Sequence, residues 1–177
     1  MPRLFSAVEL PDDVADYLAG FKLHLPGTRW IEPGDYHLTV RFFGDISEGI
    51  ARELCEMLSE SESGSTAAIR LERIDVFGDR EPRALVAVGS ADATLTNLAA
   101  KHERAARLLG LKPEKRKFTP HVTLARFRNV EAKLVAKGMR KLGLFEPQNF
   151  TVQHFGLFSS RASVGGGPYI REEQFRI

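Results

Sequence analysis

The chain has 177 residues, 43% of them apolar and 27% charged, an ordinary globular composition with enough material for one substantial core or two small, intimately packed lobes. Lysine and arginine total 25 against 23 acids, an excess too small for a dedicated duplex-DNA binder, and the single cysteine, Cys55, leaves no intramolecular disulfide and no thiolate zinc cage. No apolar run suits a signal peptide or a membrane span, so the expectation is a soluble, unexported, cytoplasmic protein that contacts no membrane.

Arg3 to Leu10 reads as a strand, followed by Pro11-Asp12-Asp13, a proline and two acids that suit a helix start. The helix carries Val14, Leu18 and Phe21 and ends before Pro26-Gly27. Trp30 and Ile31 begin an extended stretch, Pro33-Gly34-Asp35 turns the chain, and a strand runs from His37 through Phe43. Ile50, Leu54, Met57 and Leu58 mark a second helix, in which Cys55 reads as a small hydrophobe rather than a reactive thiol. Ala68 to Phe77 and Ala84 to Val88 predict a hairpin across Gly78-Asp79-Arg80-Glu81-Pro82. A third helix, capped near Ser90 or Asp92, carries Leu95, Leu98, Ala105, Leu108 and Leu109 and stops at Gly110. A strand on His121 follows, then a fourth helix over Glu131 to Leu142 through Leu134, Val135, Met139 and Leu142. One strand is expected from Phe150 to Phe158, a mobile turn at Gly165-Gly166-Gly167-Pro168, and a last strand ending at Phe175 and Ile177. Helices alternating with strands joined by short turns predict an α+β fold with antiparallel sheets rather than a doubly wound parallel one. No linker divides the chain, so residues 1–177 are read as a single domain of two interleaved lobes.

One tetrapeptide plan occurs in each half: His37-Leu38-Thr39-Val40 and His121-Val122-Thr123-Leu124, with the histidines 84 residues apart. Strand side chains alternate between faces, so each copy projects an imidazole and a hydroxyl together while the apolar pair anchors the reverse face. The duplication predicts two similar lobes facing across a cleft, with two histidine and threonine pairs forming an anion site. Two neutral imidazoles divide general acid and general base work near neutral pH without a metal. Displacement at phosphorus needs its acid and base on opposite sides of the phosphate, and facing strands supply that geometry. Thr39 and Thr123 are the candidates to donate to non-bridging oxygens, and Arg126 to neutralise charge there. Strict alternation puts Arg126 on the face opposite Thr123 unless the strand twists or bulges.

His24, His102 and His154 lack a threonine at the matching offset and are read as structural. A catalytic zinc site needs three protein ligands, and the motifs have neither His-x-His nor His-Glu-x-x-His spacing, so no metal and no cofactor is expected. There is no Gly-x-Ser-x-Gly elbow, and the triple glycine lacks the lysine of a P-loop. The basic run Lys112, Lys115, Arg116 and Lys117, with Arg126 and Arg128 beyond the motif, reads either as a solvated loop or as a phosphate-attracting rim. Trp30, Tyr36, Phe42 and Tyr169 offer rings for base stacking or for the core.

The paired motifs, with Arg3-Leu4-Phe5, Glu9-Leu10-Pro11, Trp30, the run Val40-Arg41-Phe42-Phe43-Gly44, Phe118-Thr119-Pro120, Ala125-Arg126, Phe155 to Ser160, and Gly167 with Tyr169, resemble the two-histidine phosphoesterase superfamily. Within it they are similar to the LigT-like RNA 2',3'-cyclic phosphodiesterases, and the likeness covers essentially the whole chain. The resemblance implies a bilobal fold of two pseudo-symmetric lobes, each an antiparallel sheet flanked by helices, around a central groove. It implies metal-independent opening of a terminal 2',3'-cyclic phosphate on RNA, tRNA fragments included, to a 2'-phosphate. His121 would activate water, His37 would protonate the departing 3' oxygen, and Thr39, Thr123 and Arg126 would hold the phosphate. It also implies 2'-5' RNA ligase chemistry, in which a ribose hydroxyl replaces water. The alternatives are an RNA-end-binding protein without turnover and a phosphodiesterase for 2'-5' oligonucleotides or small cyclic nucleotides; a monomer is expected.

Overall fold

The computed structural model describes residues 3–78, 80–160 and 168–177; the expected turn at Gly165-Gly166-Gly167 lies outside them. In chain order the elements are β1 (Arg3–Glu9), α1 (Asp12–Ala19), β2 (Thr28–Trp30), β3 (His37–Asp45), α2 (Glu48–Ser59), β4 (Ala67–Phe77), β5 (Ala84–Ala91), α3 (Ala93–Leu108), β6 (His121–Phe127), α4 (Ala132–Met139), β7 (Gln148–Val152), β8 (His154–Ser160) and β9 (Tyr169–Arg176). The fold is α+β, and the described strand pairs are all antiparallel.

The strands form one path, β7-β4-β5-β6-β3-β1-β8-β9, with β2 paired to β6 beside it. Its two halves meet at β3 and β6, the two histidine strands, where the register consists of Leu38 opposite Val122. Both side chains are fully buried. Beyond that bridge β2 takes the place of β3 along β6, pairing Thr28 to Trp30 with Phe127 to Ala125. The histidine strands therefore touch at one point and diverge on either side of it.

Where one strand is expected from Phe150 to Phe158, the structure has two. The chain breaks at Gln153: β7 pairs with β4 at one end of the path and β8 with β1 near the other. One residue reaches only about 3.5 Å, so the two ends of the sheet must come close, and the sheet curls. The carbonyl of Gln153 accepts the amide of Ile177 at 2.9 Å, which ties the C-terminus to this crossing.

The main core fills one face of the sheet, where Leu38, Val40, Val122 and Leu124 meet Leu54 and Leu58 of α2 and Leu95, Leu98, Ala105 and Ala106 of α3. Asp92 caps α3 through the Leu95 amide at 3.1 Å and also takes the Ala68 amide at 2.9 Å. Gly110, with φ of 70°, ends the helix in the left-handed conformation that glycine adopts without strain. Leu108, expected in the core stripe, is 67% exposed. At about 100° per residue it falls well off the face shared by Leu95, Leu98 and Ala105. The last helix is shorter than expected and its Leu134 faces out, while Val135 is buried and Met139 and Leu142 still pack inward. Cys55 packs against the core at intermediate exposure, and burial pushes its thiol pKa up. No helix among the described residues is long and apolar enough to cross a membrane.

Candidate active site

The duplicated tetrapeptides fold into duplicated geometry. His37, Thr39, His121 and Thr123 are half-buried, and the apolar residues between them are buried. Continuing the Leu38 to Val122 register one residue each way sets His37 opposite Thr123 and Thr39 opposite His121. Residues opposite one another share a face, so the four side chains form a quadrilateral on the surface turned away from the helices.

Each histidine strand then bulges at the same place. Against β1, Thr39 pairs with Ala7 and Arg41 with Ser6, which leaves Val40 unmatched. Against β5, Thr123 pairs with Val86 and Ala125 with Leu85, which leaves Leu124 unmatched. The two extra residues are again 84 apart. An extra residue reverses the alternation downstream, so Arg126 is exposed on the side of His121 and Thr123 while Ala125 is buried. In the first copy the same inversion exposes Phe42 and buries Arg41.

Both imidazoles are oriented by the main chain. The Nδ1 of His37 lies 2.8 Å from the carbonyl oxygen of Asp35, and that of His121 lies 2.8 Å from the carbonyl oxygen of Thr119. A carbonyl only accepts, so each Nδ1 carries the proton and each neutral ring keeps the Nε2 lone pair for chemistry. Aromatic rings fix the planes further. Phe5 and Tyr169 each lie 4.8 Å from the His37 ring, centroid to centroid, and Phe77 lies 4.8 Å from that of His121. Small apolar clusters continue behind them, Ala7 and Phe158 on one side and Ala84, Val86 and Val88 on the other. Such walls strengthen any charge interaction made between them.

Burial lowers the pKa of both histidines, and their charged neighbours differ. For His37 the Asp35 carbonyl and carboxylate oppose that fall, whereas Arg126 and His121 add to it. For His121 the Thr119 carbonyl opposes it, and the cations Arg116 and Arg126 add to it. Each ring thus feels Arg126, and His37 feels His121. A single site holds all three.

Asp35, Phe5 and Phe77 adjoin the histidines without being candidates on sequence grounds, whereas Arg116 and Tyr169 stand among its basic run and its stacking rings; Asp35 and Thr119 occupy the same offset, two residues before each histidine. Asp35 also accepts the Tyr169 amide through Oδ1 at 3.3 Å, which joins the start of β9 to the turn before His37. Arg29 stands opposite Arg126 in the β2 and β6 register. Of the rings considered for stacking, Tyr36 belongs to the core, Phe42 is 44% exposed, and Trp30 and Tyr169 are partly buried. His102 is fully buried within α3, with Nδ1 2.9 Å from Ser6 Oγ, and burial together with Lys101 pushes its pKa down to about 3. His24 and His154 are exposed and lie outside the quadrilateral. No group of three or more His, Cys, Asp or Glu side chains among the described residues is disposed to hold a metal ion.

The fold and this two-histidine surface define a class of phosphoesterase. A family model described as LigT like Phosphoesterase matches the chain twice, over residues 7–88 and 86–169, one match for each histidine motif. The chain belongs to the LigT-like phosphoesterase family. The RNA 2',3'-cyclic phosphodiesterase of Aquifex aeolicus is 33% identical over 84% of this chain and 81% of its own length. That of Bacillus subtilis is 35% identical over 71% of each. Among solved structures, E. coli LigT complexed with 3'-AMP superposes with a TM-score of 0.77 at 20% identity, over 100% of this chain and 99% of that one. A Thermus thermophilus protein, TT0787, gives 0.74 at 24% identity, over 98% and 97%.

Proposed function

We propose that this protein is a metal-independent RNA 2',3'-cyclic phosphodiesterase that opens a terminal cyclic phosphate to a 2'-phosphate. The observation that carries the reading is the pair of imidazoles whose Nδ1 positions are both committed to main-chain carbonyls, on the face they share with two threonines and Arg126. Curated relatives named for this activity add to it.

In the proposed reaction His121 accepts a proton from water through Nε2 as the oxygen attacks phosphorus. The bond from phosphorus to O3' breaks, and His37, protonated at Nε2, gives that proton to O3'. The roles follow the neighbours that differ: Asp35 favours a cation at His37 and Arg116 a neutral ring at His121, while Arg126 acts on both rings alike. Thr39 and Thr123 donate to the non-bridging oxygens, and Arg126 balances the charge that grows there. The substrate is RNA ending in a cyclic phosphate, tRNA fragments among them, and a ribose hydroxyl in place of water gives 2'-5' ligation at the same site. Residues 1–177 act as a single unit and a monomer, which the supply of every named group by one chain supports.

The test is an RNA bearing a 2',3'-cyclic phosphate, incubated with purified protein in excess chelator. A 2'-phosphate product is expected, and His37→Ala and His121→Ala should each lower kcat/KM by about 10²- to 10⁴-fold. Full activity in either variant, or a chelator-sensitive rate, overturns the mechanism. Binding without turnover by the parent protein would make it an RNA-end-binding module instead.

A further inference from the structure

Arg41 lies four residues past His37, and the bulge at Val40 turns it into the interior, where it is 8% exposed. Each of its three nitrogens donates a hydrogen bond. Nε donates to Glu103 Oε2 at 2.6 Å, Nη2 to the Lys112 carbonyl at 2.7 Å, and Nη1 to the carbonyl of Phe42. Glu103, on α3, also accepts from Arg107 Nε at 2.7 Å and from the Glu114 amide at 3.3 Å. Burial alone would raise the Glu103 pKa, but these donors hold its carboxyl below the usual range. The Glu114 carboxylate in turn accepts from the amide of Arg116 at 3.0 Å and from its Nε at 3.3 Å. A continuous run of charge-assisted hydrogen bonds therefore joins the strand that carries His37 to the segment that leads into His121.

That link matters because the histidine strands share one register pair, Leu38 with Val122. A single backbone bridge is a weak hinge for two rings that must bracket one phosphorus atom, since a misplacement of about 1 Å costs about 100-fold in rate. We propose that Arg41 is a positioning residue for His121: through Glu103, the Lys112 carbonyl and Glu114 it fixes segment 112–117, and with it the place of Arg116 beside the His121 ring. The basic run, exposed along its length, is thereby tied to the fold through the backbone of Lys112 and Glu114. This inference rests on the two-histidine reading for its effect on rate, but its structural content is independent of it. The charged groups that act on His121 are Arg116 from the segment and Arg126 from β6; His37 of β3 feels the charge of His121, and the Phe77 ring is neutral.

Two measurements test the proposal: the NMR titration of the His121 ring, and kcat/KM against pH on RNA with a 2',3'-cyclic phosphate, each for R41M, R41K, R116Q and the R41M/R116Q pair. Freeing the segment takes Arg116 away from His121, so in R41M the ring should titrate at higher pH and the acidic limb of kcat/KM should move up with it. The plateau kcat should fall about 10- to 100-fold while KM changes little, and R41K should recover part of the loss. In R116Q the ring pKa should rise by itself, and adding R41M should raise it no further, because the cation through which Arg41 acts is already gone. Glu103→Gln, at a side chain 21% exposed, provides the same readout if R41M does not fold. A His121 titration unchanged from the parent in R41M, or in Glu103→Gln where R41M does not fold, overturns the inference. A parent protein that leaves the cyclic phosphate intact overturns the function instead, and the titration still decides the role of Arg41.

Discussion

At the scale of single residues, chemically identical imidazoles have different charged neighbours. Asp35 sits two residues before His37, where its carbonyl orients the ring and its carboxylate favours the imidazolium. Thr119 supplies the same carbonyl to His121 without a charge. Asp35→Asn keeps an oxygen for the Tyr169 amide and removes only the charge. The His37 pKa should then fall, and because the acid must be protonated, the alkaline limb of kcat/KM should move to lower pH while the acidic limb stays in place. A limb that does not move, measured over about pH 5 to 9, removes Asp35 from the account. The histidines and threonines were legible from the tetrapeptide alone, because alternation in a strand decides which side chains travel together. Asp35, Phe5 and Phe77 were not, and Arg116 and Tyr169 were legible only as part of a basic run and as a ring for stacking or the core, because their place beside the histidines depends on which surface the chain folds over that face.

At the scale of elements, the decisive feature is the extra residue in each histidine strand. Strict alternation assigns Arg126 to the wrong face; the unmatched Leu124 returns it to the side of His121. An alanine inserted between Ala125 and Arg126 should take the groove position, turn Arg126 onto the core face and bury an unpaired guanidinium, whereas removing Leu124 should close the bulge with Arg126 still opposite Ala84 and on the groove side. The expected outcome of the insertion is loss of phosphodiesterase activity together with a clear drop in the urea midpoint; retention of both would show that strand parity does not position Arg126. Close approach also matters beside this strand. The Gly89 amide donates to the Pro120 carbonyl at 3.0 Å, just before His121, and a Cβ on Gly89 would lie 1.8 Å from the Arg70 carbonyl oxygen. The sequence marked most helices and strands through periodicity, caps and Gly110. It marked neither the bulges nor the break at Gln153, since none of these carries a local turn residue at the point of change.

At the scale of the molecule, the helical side of the sheet is dry enough to hold a histidine that stays neutral. His102 has a pKa of about 3 against 6.5 for a free imidazole. Between those values the unfolded chain binds a proton that the folded chain does not, so stability is lost as pH falls from 6.5 toward 3. His102→Asn should lessen that dependence, seen as a smaller drop in the urea midpoint between about pH 7 and pH 4.5; an unchanged drop would assign acid sensitivity to other groups. The sequence by itself determined the α+β class, the helix and strand alternation and the doubled histidine and threonine plan, because hydrophobic periodicity and strand parity are local properties of a chain. Only the tertiary structure decided that the histidine strands meet at Leu38 and Val122, that Arg126 joins them, and that Arg41 reaches across to the other half. Those facts depend on register and sheet curl, which arise when segments far apart in sequence pack together and which no short window of residues encodes.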